Sequence, residues 1–258
     1  MQRFFVEPYQ VQEEEHRITL TGPDVNHMKN VLRMKPGEEI TISDGFGHEY
    51  SCNVSELTED SVRAEILERR EVSVELPSRL VLFQCLPKGD KMELIVQKAV
   101  ELGASAVVPV ASRRCVVKLD AKKADNKVKR WQAIAESAAK QSGRALIPTV
   151  EPVMDFASAL KAMKQFDKGL IPYECADEIL EDGQTRVSAM DQTRALLSTI
   201  ERGQTVGILI GPEGGLEKSE VAAAMEAGIH PITLGKRILR TETAGLCILS
   251  VLMFQLEV

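Results

Sequence analysis

The 258 residues contain no long apolar run; none approaches the roughly 20 residues a helix needs to cross a bilayer. A cysteine framework is missing too. The five cysteines, Cys52, Cys85, Cys115, Cys175 and Cys247, are odd in number, spread along the chain and without a Cys-x-x-Cys pair, which argues against a disulfide scaffold or a zinc site. The four histidines are scattered, with no pair four residues apart, so no metal is expected. The chain has no Gly-Lys-Ser/Thr string and no Gly-x-Gly-x-x-Gly after an early strand, which removes the common phosphate cradles. The N-terminus reaches Glu7 and Pro8 before any signal-like stretch forms, so a cytosolic protein without a membrane segment is expected.

Net charge is −6, which counts against a general nucleic-acid coat protein. Its distribution is uneven. Between Ser112 and Arg130 stand eight bases and only Asp120 and Asp125 as acids, so this segment carries +6 and the remainder −12. A basic stripe on an acidic body suits docking on one polyanionic surface, and a solvated helix face is the plainer alternative.

Two patterns follow each other along the chain. Up to about residue 72, short alternating segments (Arg17–Leu20, Glu39–Ser43, Glu49–Leu57, Val62–Leu67) surround a helix opened by Gly22-Pro23-Asp24, and Asp44–Gly47 reads as a hairpin turn. Residues 1–72 therefore predict a small β-barrel-like module. From residue 73 to 258, apolar strands and helices alternate. Strands are expected at Arg79–Leu86, Ala106–Val110, Gly169–Pro172, Thr205–Ile210 and Pro231–Leu234. Helices are expected after Lys88-Gly89-Asp90, around Trp131, and at Asp155–Lys164, Glu217–Ala227 and Thr241–Phe254. That alternation predicts an α/β domain with a mostly parallel sheet.

Open parallel sheets bind ligands beyond the C-terminal ends of their strands. Three such ends are unusual here: Ile171–Glu174, Ile210–Gly215 and Leu234–Ala244. In the second, Gly211, Gly214 and Gly215 permit close backbone approach, while Glu213 stands where a phosphate site would want a donor. A carboxylate there suits a cationic or neutral ligand, and a plain strand-to-helix turn is the alternative. In the third, Ile238 and Leu239 beside main-chain amides can hold a purine ring. Arg240 and Glu242 then stand at the start of an apolar helix, where a surface ion pair is the ordinary reading.

The strings Gly211-Pro212-Glu213-Gly214-Gly215 and Leu234-Gly235-Lys236-Arg237-Ile238-Leu239-Arg240-Thr241-Glu242-Thr243-Ala244 closely resemble the ribosomal RNA small subunit methyltransferase E family. Lys98–Gly103, Gln141–Arg144 and His27–Arg33 resemble three further motifs of that family, in the same order, so the resemblance runs over nearly the whole chain. It implies a SPOUT-type α/β domain with a trefoil knot at 73–258, behind a PUA-like RNA-binding barrel at 1–72. It implies transfer of a methyl group from S-adenosyl-L-methionine to N3 of one uridine of 16S ribosomal RNA, by a homodimer acting on the small subunit. By similarity the cofactor lies against Pro172, Gly211, Pro212, Glu213, Gly214, Leu234, Gly235, Ile238 and Leu239. For such a reaction the N3 proton must leave, and the chemistry then suggests Arg240 as the group that stabilises the uridine anion or orients the base, and Glu242 as the candidate base. RNA contacts are expected from Arg33 and Lys35 in the barrel and from Arg113, Arg114, Lys118 and Arg144 in the second domain. Two alternatives stay open: a related methyltransferase acting on another RNA, such as a transfer-RNA ribose, and a non-catalytic assembly factor.

Overall fold

The computed structural model describes residues 2–71, 74–180 and 187–257. The chain divides into two compact units, residues 1–75 together with Ala139–Ile147, and Leu76–Ala138 together with Pro148–Val258.

In the first unit, β1 (Gln2–Phe5), β2 (Val11–Gln12) and β3 (Arg17–Thr21) precede a short helix, α1 (Pro23–Asn26), which continues as a wider turn over His27–Val31. Then come β4 (Glu39–Ser43), β5 (His48–Leu57) and β6 (Ser61–Glu71). They form a six-stranded sheet in the order β1-β4-β5-β6-β3-β2. Only β1 and β4 run parallel; the other pairs are antiparallel. The strict alternation of β4, β5 and β6 places Ile40, Ile42, Tyr50, Cys52, Val54, Val62 and Ala64 in one core, which Met28 and Val25 complete from the helix. β1 escapes a sequence reading because four residues, Gln-Arg-Phe-Phe, are too few to show a period.

The second unit opens with β7 (Arg79–Cys85), α2 (Lys91–Glu101), β8 (Ala104–Ala111) and α3 (Ala121–Ser142), the last turn of which belongs to the first unit. It continues with β9 (Thr149–Val150), β10 (Met154–Asp155), α4 (Phe156–Met163), β11 (Lys168–Pro172), α5 (Ala176–Leu180) and α6 (Ala189–Ser198). It closes with β12 (Thr205–Ile210), α7 (Lys218–Glu226), β13 (Ile229–Ile232) and α8 (Thr241–Leu256). The strands make a wholly parallel sheet in the order β10-β8-β7-β12-β11-β13, with β9 beside β8. β7 and β12 lie at its centre and are buried almost throughout, as continuous apolar runs in a two-faced sheet should be.

β13 begins two residues earlier than its apolar pattern predicts and contains Pro231, opposite Ile171. A proline is tolerated there because β13 has β11 as its only neighbour in the sheet. From this edge the chain does not stop. It continues into α8, which packs on the central strands β7 and β12. A Cβ added to Gly245 would lie 3.4 Å from Leu82 and 3.5 Å from Ile210. This is an α/β arrangement on a parallel sheet, as the alternation of strands and helices predicts.

Candidate functional site

The apolar run of β12 ends at Gly211, and Pro212 and Gly215 close a turn through a 2.9 Å bond from Gly215 N to Pro212 O. Gly215 has φ +68, a left-handed conformation in which a side chain would be strained, and it lies beside the carboxylate of Glu174. Gly235, just after β13, has φ +107, a conformation open in practice to glycine alone. These two segments meet the end of β11 around one cleft of about 410 Å3. Its wall includes Pro172 and Tyr173 from β11, Gly211–Glu213 from β12 and Thr233–Arg240 beyond β13.

The cleft is built to bind. Its volume falls in the range of small-molecule sites. Residues Lys236–Leu239 line the cleft and make no main-chain hydrogen bond with other described residues, so their main-chain groups are available to a ligand. Ile238 is 87% exposed beside them, a large apolar side chain awaiting a cover. Behind the cleft, Gln84 at the end of β7 is fully buried and donates to Thr241 Oγ1 at 2.9 Å. Thr241 in turn donates to the Gly211 carbonyl at 2.6 Å. One buried chain of hydrogen bonds thus joins the β7 end, the start of α8 and the glycine loop.

Charges ring the opening. Lys91 Nζ lies 3.0 Å from Glu213 Oε1 and 3.1 Å from Glu242 Oε2. Glu213 also accepts the Lys88 amide at 3.0 Å. Burial pushes both carboxyls up, but Lys91 and nearby main-chain amides outweigh it, and both are held below their ordinary range. The same two carboxylates raise Lys91 above its ordinary value. All three groups are therefore charged at neutral pH.

The expected cofactor residues converge, with one exception. Pro172, Gly211, Pro212, Glu213, Leu234, Gly235, Ile238 and Leu239 all line the cleft, whereas Gly214 lies outside its wall and its carbonyl accepts from Arg114 Nη1 at 3.0 Å. Arg240 is on the wall; Glu242 stands beside it in the pair with Lys91. Glu174, at the end of the first of the three strand exits, lines the cleft as well, and so do Lys91 and Asp177, which were not anticipated. The string Lys88-Gly89-Asp90-Lys91 follows the C-terminal end of β7, so the strand-end rule that found the other loops applies to it equally.

The RNA-facing residues are divided. In the first unit Arg33 and Lys35 are exposed, and Arg33 takes φ +54, a conformation that non-glycine residues rarely hold. In the second, Arg113, Arg114 and Lys118 are exposed, Arg113 pairing with Glu217 at 3.0 Å. Arg144 corrects the expectation in two respects. It belongs to the first unit, and it is buried, with its Nε 3.0 Å from Glu75 Oε2 and its guanidinium ion-paired to that carboxylate. Glu75 Oε1 also accepts the Ala145 and Leu146 amides. Arg144 is thus a tie holding a loop and is not displayed to a polyanion.

A parallel α/β unit with this cleft, behind a small β unit, defines an RNA methyltransferase: residues 74–253 match the RNA methyltransferase domain family, and residues 20–67 the RNA methyltransferase PUA domain family. A ribosomal RNA small subunit methyltransferase E of Bacillus subtilis (strain 168) is 40% identical over the whole chain, which covers 98% of that relative. The crystal structure of a ribosomal RNA small subunit methyltransferase E from Neisseria gonorrhoeae bound to S-adenosyl methionine superposes with TM-score 0.80 at 34% identity, covering 99% of this chain and 98% of that one. A putative methyltransferase from Legionella pneumophila in complex with the same cofactor gives TM-score 0.79 at 28% identity, covering 98% and 97%. The chain belongs to the ribosomal RNA small subunit methyltransferase E family.

Proposed function

We propose that this protein methylates N3 of a uridine in 16S ribosomal RNA, with S-adenosyl-L-methionine as donor. The observation that carries this reading is the meeting, in one cleft, of the glycine-broken segments after β12 and β13 with Arg240 on its wall. The residues fit the donor. The main-chain groups at Lys236–Leu239 can read an adenine edge, Ile238 and Leu239 can cover its face, and the carboxylates of Glu174, Asp177 and Glu213 suit a cationic ligand. When bound, that donor supplies a methyl group on a positively charged sulfur.

The protein's part is alignment and charge. Holding two reactants in line replaces a bimolecular encounter and can supply much of the rate. The uracil N3 carries a proton that must leave. Arg240, exposed on the wall, is placed to stabilise the anion that remains, as a preorganised cation does for any developing negative charge. Glu242 is ionised and can accept the proton, although its pairing with Lys91 makes it a weak base compared with one tuned near neutrality. Arg33, Lys35, Arg113, Arg114 and Lys118 position the RNA through its phosphates, which carries no sequence information, so the target is selected by the shape of the subunit.

The decisive experiment incubates the protein with tritiated donor and small subunits lacking the modification, then maps the labelled base by mass spectrometry. Label on N3 of a single 16S uridine is the expected result. Label on a ribose or a transfer RNA, or none, overturns the reading.

We further propose that the protein acts in the cytosol as a homodimer. The support is α8, which leaves Phe254 86% exposed and Val251 43% exposed, a patch suited to a second copy. Sedimentation equilibrium is expected to give twice the 28.5 kDa chain mass, and the mass of one chain would exclude it.

A further inference from the structure

Lys91 lines the cleft and pairs with two carboxylates at its opening. It is the first residue of α2, placed where the chain leaves β7 through Gly89 at φ +65. Its ammonium reaches two carboxylates that come from different segments: Glu213 on the loop after β12, and Glu242 in the first turn of α8. The Lys88 amide fastens Glu213 a second time. A single short segment after β7 therefore grips both loops of the cleft, two residues away from Arg240.

We propose that Lys91 is a positioning residue for methyl transfer: held between Glu213 and Glu242, it locks the glycine loop to the start of α8 and so sets where Arg240 stands. The proposal rests on the methyltransferase reading above. Ion pairs that keep contact with water contribute little to stability, so the effect of Lys91 is expected to be local. Side-chain exposures of 29% for Lys91, 26% for Glu213 and 18% for Glu242 put the trio on the rim of the cleft, where the substrate must pass. Without the ammonium, the trio's net charge goes from −1 to −2, and the two carboxylates repel each other. The other charged groups on the cleft wall are Glu174, Asp177, Lys236, Arg237 and Arg240. Of these, Arg240 favours the charged form of Glu242 but lies on the same element, so it cannot bridge the two loops.

The sign of the pH effect follows. Both carboxyls lie below their ordinary range while Lys91 is present. The lock therefore holds at neutral pH and is lost only as pH falls through these depressed values, below the ordinary carboxylate range. Removing the cation abolishes the lock at every pH and raises both carboxyls.

The test compares wild type with K91M, K91R and the double variant K91M/E213Q. Two things are read: the pH profile of methyl transfer to small subunits, and the titration of Glu213 and Glu242 by NMR in carboxyl-labelled protein without RNA. K91M is expected to lower kcat by about 10- to 100-fold with KM for the donor nearly unchanged, the scale of a small misplacement. Both carboxyl titrations should move to higher pH, and the part of the acidic limb that reports loss of the lock should vanish from the rate profile. K91R should restore most of the rate, and K91M/E213Q should return the Glu242 titration toward wild type by removing one of the repelling charges. Wild-type kcat and titrations in K91M overturn the proposal, as does K91R failing as badly as K91M. A rise in KM alone also overturns it, since that marks an ordinary ligand contact. If the wild-type protein labels no subunit RNA, the functional reading falls, and the carboxyl titrations still decide for or against the lock. If K91M does not fold, the titrations of K91R and E213Q carry the same comparison.

Discussion

Arg240→Ala is expected to reduce methyl transfer by about 100- to 1,000-fold, the usual loss when one preorganised donor to a developing anion is removed. Affinity for S-adenosyl-L-methionine should stay within a few-fold of wild type, because the cleft's main-chain surface does not depend on that side chain. Arg240 caps the start of α8 through its backbone, with its carbonyl accepting the Thr243 and Ala244 amides at 2.9 Å, so alanine keeps the local structure. Calorimetry with the donor and single-turnover transfer to small subunits separate the two effects. A mutant that turns over normally would remove Arg240 from the chemistry. One that loses donor binding would make it a ligand contact.

The second large effect lies in the sheet. Phe83 is 1% exposed at the centre of β7, and its ring meets Phe166 at a centroid distance of 5.9 Å, tilted by 54°. Phe166 is seated against β12, where a Cβ on Gly207 would come within 2.9 Å of it. Phe83→Ala opens a cavity under the strand that carries Gln84, and should cost about 3–5 kcal/mol. That is a large share of the roughly 5–15 kcal/mol that keeps a domain folded. The single tryptophan, Trp131, is buried in the same unit and reports urea unfolding by its fluorescence. A loss below about 1 kcal/mol would mean that the neighbours close the gap.

The sequence was most readable where one physical period dominates. β12 is apolar throughout and its bounds, Thr205–Ile210, follow directly; α8 begins at Thr241 as its pattern predicts. The glycine-rich strand exits could be recognised as ligand loops because few other roles need Gly211, Gly215 and Gly235 so close to strand ends. α6 was not foreseen because its buried face, Ala189, Thr193 and Leu197, is built largely of small or polar side chains that give little apolar signal. Glu174–Asp182 reads as a loop or helix start; α5 fills Ala176–Leu180, and residues 181 and 182 fall outside the described part. Arg144 misled because a basic residue next to exposed Gln141 and Ser142 looks like surface, and its partner Glu75 is far away in the sequence. Lys91 was passed over for the same reason. Its partners are brought to it by the fold, and no local spacing announces Glu213 or Glu242.

The order of strands in the parallel sheet has a consequence for synthesis. β7 is made early, yet one of its two neighbours, β12, pairs Thr205 with Arg79 and emerges from the ribosome only after most of the chain has been built. At roughly 5–20 residues per second, the apolar flank of β7 waits many seconds for its cover. Such long-range pairing is slow to form and exposed to aggregation in the interval. The nascent chain thus has a vulnerable period that ends only when its last quarter arrives, and a chaperone that shields β7 during that delay should raise the yield of folded protein.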